Sequence, residues 1–586
     1  MMKMDTLPVC TRIRTAKHRW HFVVLGWLLL AYPAANAFGQ LRLPRLVSSG
    51  MVLAHGQPVP VWGWAAAGQS VAVHWQQQVH TTVANAEGRW QLMLPASKAG
   101  GPFSMRIVAE KEIVLPEVWV GEVWLCSGQS NMEQAMNGRL KYRYANYVQQ
   151  AQYPQIRQYL VPDVFRFDEP ATDLPAGEWL PAQMPHIQEF TAVGYFFALE
   201  RWQKTGRPIG IINASLGGSP AEAWIAEDSL RSFADKWKEL QQVKDSQWVA
   251  GVQQREQAAS AAWWQQLQAS DIGAGWQQAP VDASWKLQTM PAMLHAANGW
   301  SLPGVLWMKK KFWLSQPPAA GTGVLELGRI VESDSVWING RWLGHTTYQY
   351  PARRYELDAA SLLRAGENEI AIRMVANGRE GGMVPDKLYE LRWADTLIDL
   401  KGDWWVKQSA AQSTPAPATT FWRWKPAGLY NGMMAPMANY GLTGVLWYQG
   451  ESNAAQPANY ARLMRTLIGN WRQQFQRPDL PFLYVQLPAF LAPADTVQER
   501  SNWAAMRQQQ AMVLQVPHTA MAGIFDLGEW NDIHPENKLD VGKRLAALAV
   551  ALLEKGDTAA GCGPLLQSWQ YKRGAYRLQF RFAGSR

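Results

Sequence analysis

The sequence predicts an α/β protein with a parallel sheet, preceded by a small β-sandwich and interrupted by an inserted β-rich module. Two observations carry this prediction. Strand-like and helix-like segments alternate in two separate stretches of the chain, which is typical of a parallel sheet covered by helices. Short strands without helical segments fill the stretches before and between them. With 586 residues, the chain is also too long for one hydrophobic core, so several domains are expected.

The first 37 residues are predicted to be a secretory signal peptide. They combine a basic start, a short apolar run over 22–32 and the sequence Ala35-Asn36-Ala37, after which cleavage is expected. The apolar run is too short to cross a bilayer comfortably, and an uncleaved N-terminal anchor is the alternative. The sequence therefore predicts a secreted or periplasmic protein with no stable membrane insertion after cleavage.

The change between strand-only stretches and stretches of alternating strands and helices divides the rest of the chain into domains. The strands predicted for the α/β domain cover residues 120–126, 156–161, 208–212, 444–448, 482–487 and 520–526. Within the inserted module, Asn339-Gly340 predicts a hairpin turn. The predicted domains are the N-terminal β-sandwich at 38–115, the first half of the α/β domain at 116–276, the inserted module at 277–402, the second half at 403–555, and the start of a C-terminal β segment, expected to be truncated, at 556–586.

Composition excludes several classes of function. The net charge is +9, or +5 without residues 1–37, and no dense stripe of Lys and Arg indicates nucleic-acid binding. Outside the signal peptide there are two cysteines and no Cys-x-x-Cys spacing, so neither a disulfide framework nor a metal site is predicted. Cys126 is expected to be buried packing. The 32 tryptophans favour a carbohydrate ligand, although most tryptophans belong to protein cores.

Polar clusters follow the predicted strands at the sheet edge where open parallel sheets bind ligands. The first is Gly128-Gln129-Ser130-Asn131, in which Ser130 is a possible nucleophile whose own N–H would face an oxyanion. A serine that caps the next helix is the alternative. The second contains Gly217-Gly218, which would let backbone N–H groups approach a ligand closely, or would form a plain turn.

Two further clusters lie in the second half of the domain. Asn453 follows the strand at 444–448, and its amide could donate to an oxyanion or simply cap a turn. His534 follows the strand at 520–526 and could be a general base, with Asp532 two residues earlier as its acid partner. A metal-ligand fragment or a helix cap is the alternative for this last pair. Together the four clusters supply a nucleophile, oxyanion donors and a base at one sheet edge.

The motifs GQSNM, SLGGSPAEAW, WYQGESNA and DIHPENK closely resemble the four motif blocks of the sialate O-acetylesterase family, within the SGNH (GDSL-like) hydrolases. The resemblance extends over nearly the whole mature chain. It implies a three-layer SGNH-hydrolase sandwich with a parallel sheet, and a galactose-binding-like jelly roll for the inserted module. It also implies a serine esterase that needs no cofactor or metal and acts on an acetylated carbohydrate.

Carried over residue by residue, the resemblance implies Ser130 as nucleophile and His534 as general base. The N–H groups of Ser130 and Gly218 (or Gly217) and the Asn453 side chain would form the oxyanion hole. Asp532 is the expected acid, because the position three residues before His534 is an asparagine; Glu529 and Asp526 remain alternatives. The residues expected to line the site or shape its turn are Gln129, Asn131 and Glu451.

The sequence therefore predicts a carbohydrate O-acetylesterase, with sialic acids as the first substrate class and acetylated xylan or another plant polysaccharide as the alternative. A non-catalytic carbohydrate-binding protein is the rival of another class. A glycoside hydrolase would need two facing carboxylates, for which Glu451 and Asp532 are the available pair. No feature of the sequence predicts an oligomeric state.

Overall fold

The computed structural model describes residues 40–492, 501–556 and 564–581. The predicted signal peptide lies outside the described residues. The structure is mixed α/β, with a sheet that contains parallel strands and several further β-sheets. In the described ranges, no helix combines the length and the apolar composition that crossing a membrane requires.

Most of the N-terminal strands form antiparallel pairs, whereas Val52–Ala54 pairs parallel with residues 119–121. β2 pairs with β5, and β3 pairs with β4 and β6. In β5, Trp90, Leu92 and Leu94 are buried while the residues between them are exposed, which is the two-residue period of a strand with one face in a core. The strands are β1 (Val52–Ala54), β2 (Val59–Trp64), β3 (Ser70–Trp75), β4 (Gln78–Val83), β5 (Arg89–Leu94) and β6 (Gly100–Val108).

One long strand, β7 (Glu112–Gly128), joins these strands to the parallel sheet. Its first part pairs antiparallel with β6, and its last part is a central strand of the parallel sheet. The position 115/116, where the sequence pattern changes, falls inside this strand. Cys126 lies near the carboxyl end of this strand and is buried, as expected.

The chain then alternates between helices and strands. Helix α3 (Ala192–Thr205) is capped at its start by Thr191, whose hydroxyl accepts from Gly194 N, and at its end by Gly206, where φ is +66°. The elements up to residue 270 are α1 (Ser130–Glu133), α2 (Ala145–Gln150), β8 (Gln152–Leu160), β9 (Trp179–Gln183), α3 (Ala192–Thr205), β10 (Ile209–Ser215), α4 (Glu227–Leu230), α5 (Ala234–Lys244) and α6 (Ser246–Ser270).

Antiparallel sheets make up the inserted module. They share one core, to which Leu306 and Met308 of one sheet and Leu325 and Leu327 of another contribute. The elements are β11 (Lys286–Met290), β12 (Met293–His295), β13 (Gly304–Leu314), β14 (Thr322–Leu327), β15 (Ile330–Val331), β16 (Ser333–Ile338), β17 (Arg341–Thr346), β18 (Arg354–Asp358), α7 (Ala359–Leu362), β19 (Gly366–Ala376), β20 (Glu380–Met383), β21 (Tyr389–Trp393), β22 (Thr396–Asp399) and β23 (Gly402–Ala411).

The predicted hairpin turn of this module is confirmed. Ile338 of β16 pairs with Arg341 of β17 in antiparallel register. The two turn residues, Asn339 and Gly340, have φ of +50° and +74°. Positive φ at both central positions is what a two-residue type I′ turn requires.

The chain returns to the parallel sheet after the module. The order of strands is β26-β25-β24-β7-β10-β8-β9, parallel except for β9 at the edge. A separate hairpin near the C-terminus is formed by β27 and β28. The remaining elements are β24 (Gly444–Tyr448), α8 (Tyr460–Gln474), β25 (Phe482–Val485), α9 (Asn502–Met512), β26 (Thr519–Ala522), α10 (Lys538–Glu554), β27 (Leu565–Lys572) and β28 (Ala575–Arg581).

Helices cover both faces of this sheet. Trp124 and Cys126 of β7 face the core that contains α3 and α10, while Val123 and Leu125 face the core that contains α8. Because both faces are buried, the central strands consist almost entirely of apolar residues up to their carboxyl ends. The polar clusters begin at these carboxyl ends.

Candidate active site

Ser130 is placed by a sharp turn at the end of β7. Gly128 has φ of +126°, and a Cβ there would lie 2.1 Å from the carbonyl oxygen of Tyr448. Only glycine therefore fits between β7 and its neighbour β24. The chain then turns through Gln129, and Ser130 becomes the first residue of α1.

The structure brings the Ser130 hydroxyl and the His534 imidazole together. Ser130 Oγ lies 2.7 Å from His534 Nε2, although the two residues are 404 positions apart in sequence. Burial, together with the charges of Arg139 and Lys538 and against the opposing charge of Asp532, lowers the pKa of His534 to about 3. The imidazole is thus neutral at neutral pH, which is the state that can accept the hydroxyl proton.

Asp532 lies beside His534 but contacts its main chain. Its Oδ1 accepts from the backbone N–H of His534 at 2.8 Å, and its Oδ2 accepts from Arg139 Nη2 at 2.8 Å and Lys387 Nζ at 3.4 Å. The prediction placed this carboxylate on the imidazole; in the described part of the chain its hydrogen bonds fix the loop instead. Burial alone would raise the pKa of Asp532, but Arg139 and Lys387 outweigh burial and hold it at about 2.

The two alternative acids are engaged elsewhere. Glu529 accepts from Lys387 Nζ at 2.7 Å and from the N–H of Glu536 at 3.0 Å. Asp526 forms a two-pronged ion pair with Arg544, with both distances 2.6 Å. Of the three acids considered, Asp532 is the one that contacts His534.

The glycine loop lies against Ser130. A Cβ on Gly217 would be 2.8 Å from the Glu133 carboxylate and 3.7 Å from Ser130 Cβ. Gly218 has φ of +74°, and a Cβ there would lie 2.0 Å from the ring of Trp424. Within the described residues, the N–H groups of Ser130 and Gly218 have no hydrogen-bond partner. Both N–H groups are therefore available to donate to an oxyanion.

Asn453 lies at the side of the same loop. Its Oδ1 accepts from the N–H of Ala221 at 3.0 Å and from Gln449 Nε2 at 2.7 Å. Its Nδ2 donates one hydrogen to Glu222 Oε2 at 2.9 Å. These bonds hold the amide in a fixed orientation. One hydrogen of Nδ2 is used by Glu222, so that hydrogen does not donate to an oxyanion, which is the role predicted for this side chain.

Gln129, Asn131 and Glu451, predicted to line the site or shape its turn, are buried. Gln129 and Asn131 are fully buried, and Gln129 Oε1 accepts from the N–H groups of Gly450 and Ser452 at 3.3 and 3.2 Å. Asn131 donates to Glu451 Oε1 and to the carbonyl of Ile533. Their buried amides fasten the loops that follow β7, β24 and β26 to one another, because a buried polar group needs a partner.

Sequence reasoning missed several charged residues of the site. Lys538 is fully buried and donates to Asn131 Oδ1; burial and the charge of Arg139 together lower its pKa to about 7. Burial and the charge of Asp163 raise the pKa of Glu133 to about 7. Both Glu133 and Lys538 lie inside or next to the quoted motifs, so their positions were visible, but no spacing distinguished them from surface charges.

No group of three potential ligands drawn from His, Cys, Asp and Glu comes together as a metal site in residues 40–492, 501–556 and 564–581. At Asp532, the one carboxylate next to His534, both oxygens already accept from protein donors.

Comparisons with known proteins identify relatives of this chain. Residues 414–551, which include Asn453, Asp532 and His534, match the family model described as carbohydrate esterase, sialic acid-specific acetylesterase. Human sialate O-acetylesterase is 28% identical over 235 residues, covering 36% of this chain and 44% of the human protein. The mouse protein is 34% identical over 155 residues, covering 23% and 28%. The chain thus spans less than half the length of these curated relatives.

A solved structure resembles the chain over a longer stretch. A carbohydrate acetylesterase from Xanthomonas citri is 26% identical, with a TM-score of 0.57, and the match covers 92% of this chain and 81% of that one. This likeness extends over both halves of the parallel sheet and the inserted module. The resemblance that the four motif blocks predict is therefore confirmed: the chain is similar to sialate O-acetylesterases, and residues 414–551 match the model of the sialic acid-specific acetylesterase family.

Proposed function

We propose that this protein is a carbohydrate esterase that removes O-acetyl groups by a serine acyl-enzyme mechanism. The observation that carries the proposal is the 2.7 Å contact between Ser130 Oγ and a neutral His534 at the carboxyl edge of the parallel sheet. The relatives named above are esterases of acetylated sugars, which supports an acetylated carbohydrate as the substrate.

In the first half-reaction, His534 Nε2 takes the Ser130 proton as Oγ attacks the acetyl carbonyl. The oxyanion of the tetrahedral intermediate faces the N–H groups of Ser130 and Gly218, with Asn453 as the third proposed donor. The intermediate collapses, the sugar hydroxyl leaves with the proton from His534, and the acetyl group stays on Ser130.

In the second half-reaction, His534 takes a proton from water as the water attacks the acetyl–serine ester. Collapse releases acetate and returns the proton from His534 to Ser130 Oγ. Asp532 acts through the main chain by holding the His534 loop in place, with Arg139 and Lys387 holding Asp532. No step requires a cofactor.

Sialic acids are the proposed substrate class, because the matched family model and the mammalian relatives are described by that sugar. Acetylated xylan or another plant polysaccharide is the alternative, which the same site chemistry would serve. Acetate release from a panel of O-acetylated sialic acids and acetylated xylo-oligosaccharides separates the two.

Two functions of other classes are less well supported. A non-catalytic carbohydrate-binding protein would have no need of a serine hydroxyl in contact with a neutral imidazole. A glycoside hydrolase would need Glu451 and Asp532 to face each other across a sugar, but Glu451 is buried and accepts from Asn131.

The finer architecture and the location are part of the same proposal. They comprise a three-layer SGNH-hydrolase sandwich at 116–276 and 403–555, a galactose-binding-like jelly roll at 277–402, an N-terminal β-sandwich at 38–115, and secretion or export to a periplasm directed by residues 1–37.

Replacement of Ser130 by alanine tests the mechanism. We expect acetate release from the preferred substrate to fall by about a thousandfold or more, because the nucleophile is removed while the fold is kept. A Ser452→Ala variant is the matched control, since Ser452 is a nearby serine whose hydroxyl bonds only to the Gly218 carbonyl among the described residues. Full acetate release by the Ser130→Ala protein would rule out the mechanism.

A further inference from the structure

A ring from the inserted module reaches the proposed catalytic pair. Tyr350 lies in the segment between β17 and β18, and its ring centroid is 5.3 Å from that of His534. The two planes are nearly perpendicular, at 86°. The Tyr350 side chain is 39% exposed, so a face or edge of the ring is open to a ligand beside His534.

The segment that carries Tyr350 is rigidly built. Arg353 is fully buried and paired with Asp334, and its guanidinium donates to the carbonyls of Gln349 and Pro351 at 3.2 and 2.7 Å. These two carbonyls flank Tyr350 on either side. Pro351 further restricts the backbone of Tyr350. A ring held in this way loses little conformational freedom when it binds a ligand.

Aromatic rings also lie next to the glycine loop. Trp424 packs against Gly218, and its Nε1 donates to the carbonyl of Gly217 at 2.9 Å. Phe421 stacks on Trp424 with centroids 4.0 Å apart and planes 19° apart. Phe421 is 54% exposed, so this stacked pair also presents an open ring.

Aromatic residues from two different parts of the chain therefore lie near the catalytic pair: Tyr350 beside His534, and Trp424 with Phe421 at the glycine loop. The C–H groups on one face of a pyranose ring are apolar, and they pack well on an aromatic face while the hydroxyl groups stay in water. A sugar held between these rings would direct one ester group towards Ser130. A simple aliphatic acetate has no ring and would gain nothing from them.

We propose that Tyr350 and Phe421 form the subsite that holds the acetylated sugar ring, so that the inserted module sets the specificity of the esterase. This inference rests on the proposed function. In this proposal Tyr350 contacts the substrate, and the inserted module takes part in recognition beyond any independent sugar binding.

Steady-state kinetics on two probes test the subsite. Glucose pentaacetate carries acetyl groups on a pyranose, whereas ethyl acetate carries one without a sugar; acetate release is measured for both. We expect Tyr350→Ala to lower the ratio of kcat/KM on glucose pentaacetate to that on ethyl acetate by about tenfold or more, mainly through KM. Tyr350→Phe, which keeps the ring, should retain the ratio within about twofold.

Two further variants keep the test decisive. Tyr350→Leu keeps an apolar side chain without an aromatic face, and should lower the ratio as the alanine variant does even if the latter folds poorly. Trp313→Ala removes another exposed ring of the same module, from β13, and should leave the ratio unchanged.

The results that would disprove the subsite differ from the results that would disprove the proposed function. If Ser130-dependent acetate release is present and Tyr350→Ala and Tyr350→Leu leave the ratio within about threefold, or lower both rates equally, the subsite is wrong. If neither probe is hydrolysed in a Ser130-dependent way by the unmodified protein, the proposed function falls and the subsite falls with it.

Discussion

At the residue scale, the surroundings of His534 decide the pH range in which the imidazole can act as a base. A base must be neutral, and a folded-state pKa of about 3 keeps His534 neutral at all pH values well above that. An unperturbed histidine would become protonated near pH 6.5. The same shift means that His534 opposes folding below about pH 6.5, since the unfolded chain takes up the proton more readily.

The first prediction concerns the acid limb of the pH profile. We expect kcat/KM of the unmodified protein to stay level down to about pH 5, because His534 remains neutral there. Arg139→Gln should move the acid limb towards higher pH, since Arg139 is the largest charge that lowers this pKa. Arg143→Gln, a neighbouring exposed arginine, is the control. An acid limb near pH 6.5 in the unmodified protein would show that its surroundings do not lower the pKa of His534.

The second prediction concerns the glycine loop. Gly218→Ala should lower kcat/KM by about ten- to a hundredfold and reduce the melting temperature, because the new methyl group would meet the Trp424 ring at a positive φ. Gly523→Ala is the matched control, since a Cβ there has no neighbour within 4 Å. Equal activity of the two variants would show that the backbone of the loop takes no part in the reaction.

At the element scale, the His534 loop is held from both sides. From the parallel-sheet domain, Arg139 pairs with Asp532. From the inserted module, Lys387 pairs with Glu529 and Asp532, and Arg329 donates to the carbonyl of Asn531. These ion pairs are largely buried, so they are screened much less by salt than surface pairs are. The position of the imidazole therefore depends on the module as well as on β26.

The third prediction follows from this arrangement. Lys387→Met should lower kcat by about tenfold with a smaller change in KM, because Asp532 loses a partner and the loop shifts relative to Ser130. Lys401→Met is the control. Lys387 and Lys401 both line one cavity of about 410 Å³, but none of the described hydrogen bonds of Lys401 uses Nζ. If both lysine variants retain full kcat, the module does not hold the catalytic loop.

At the scale of the whole molecule, the structural features that the sequence predicted are those with a local pattern of residue types. Buried strand runs such as 444–448, the hairpin at Asn339-Gly340 and the motif containing Ser130 all have local signatures. The continuity of β7 had no such signature, because a strand that leaves one sheet and enters another keeps the same apolar pattern throughout. The change of composition near residue 115 marked a change of pairing strands within β7, from β6 to β10 and β24.

The site shows the same division. Ser130 and His534 were predicted because each follows a recognisable strand and lies in a motif. The roles of Tyr350, Arg139 and Lys387 depend on contacts with residues more than 140 positions away, which no spacing in the sequence reveals. Gln129, Asn131 and Glu451 were expected to line the site or shape its turn; the sequence did not reveal the hydrogen bonds across the loops that allow these polar side chains to be buried.

The most direct test of the central claim is to locate a covalent label. The protein is treated with a fluorophosphonate, digested, and the modified peptide is identified by mass spectrometry. We predict one modified residue, Ser130, and no modification of the His534→Ala variant, because an activated serine is the group that such a reagent attacks. Labelling of a different serine, or full labelling of Ser130 without His534, would contradict the mechanism.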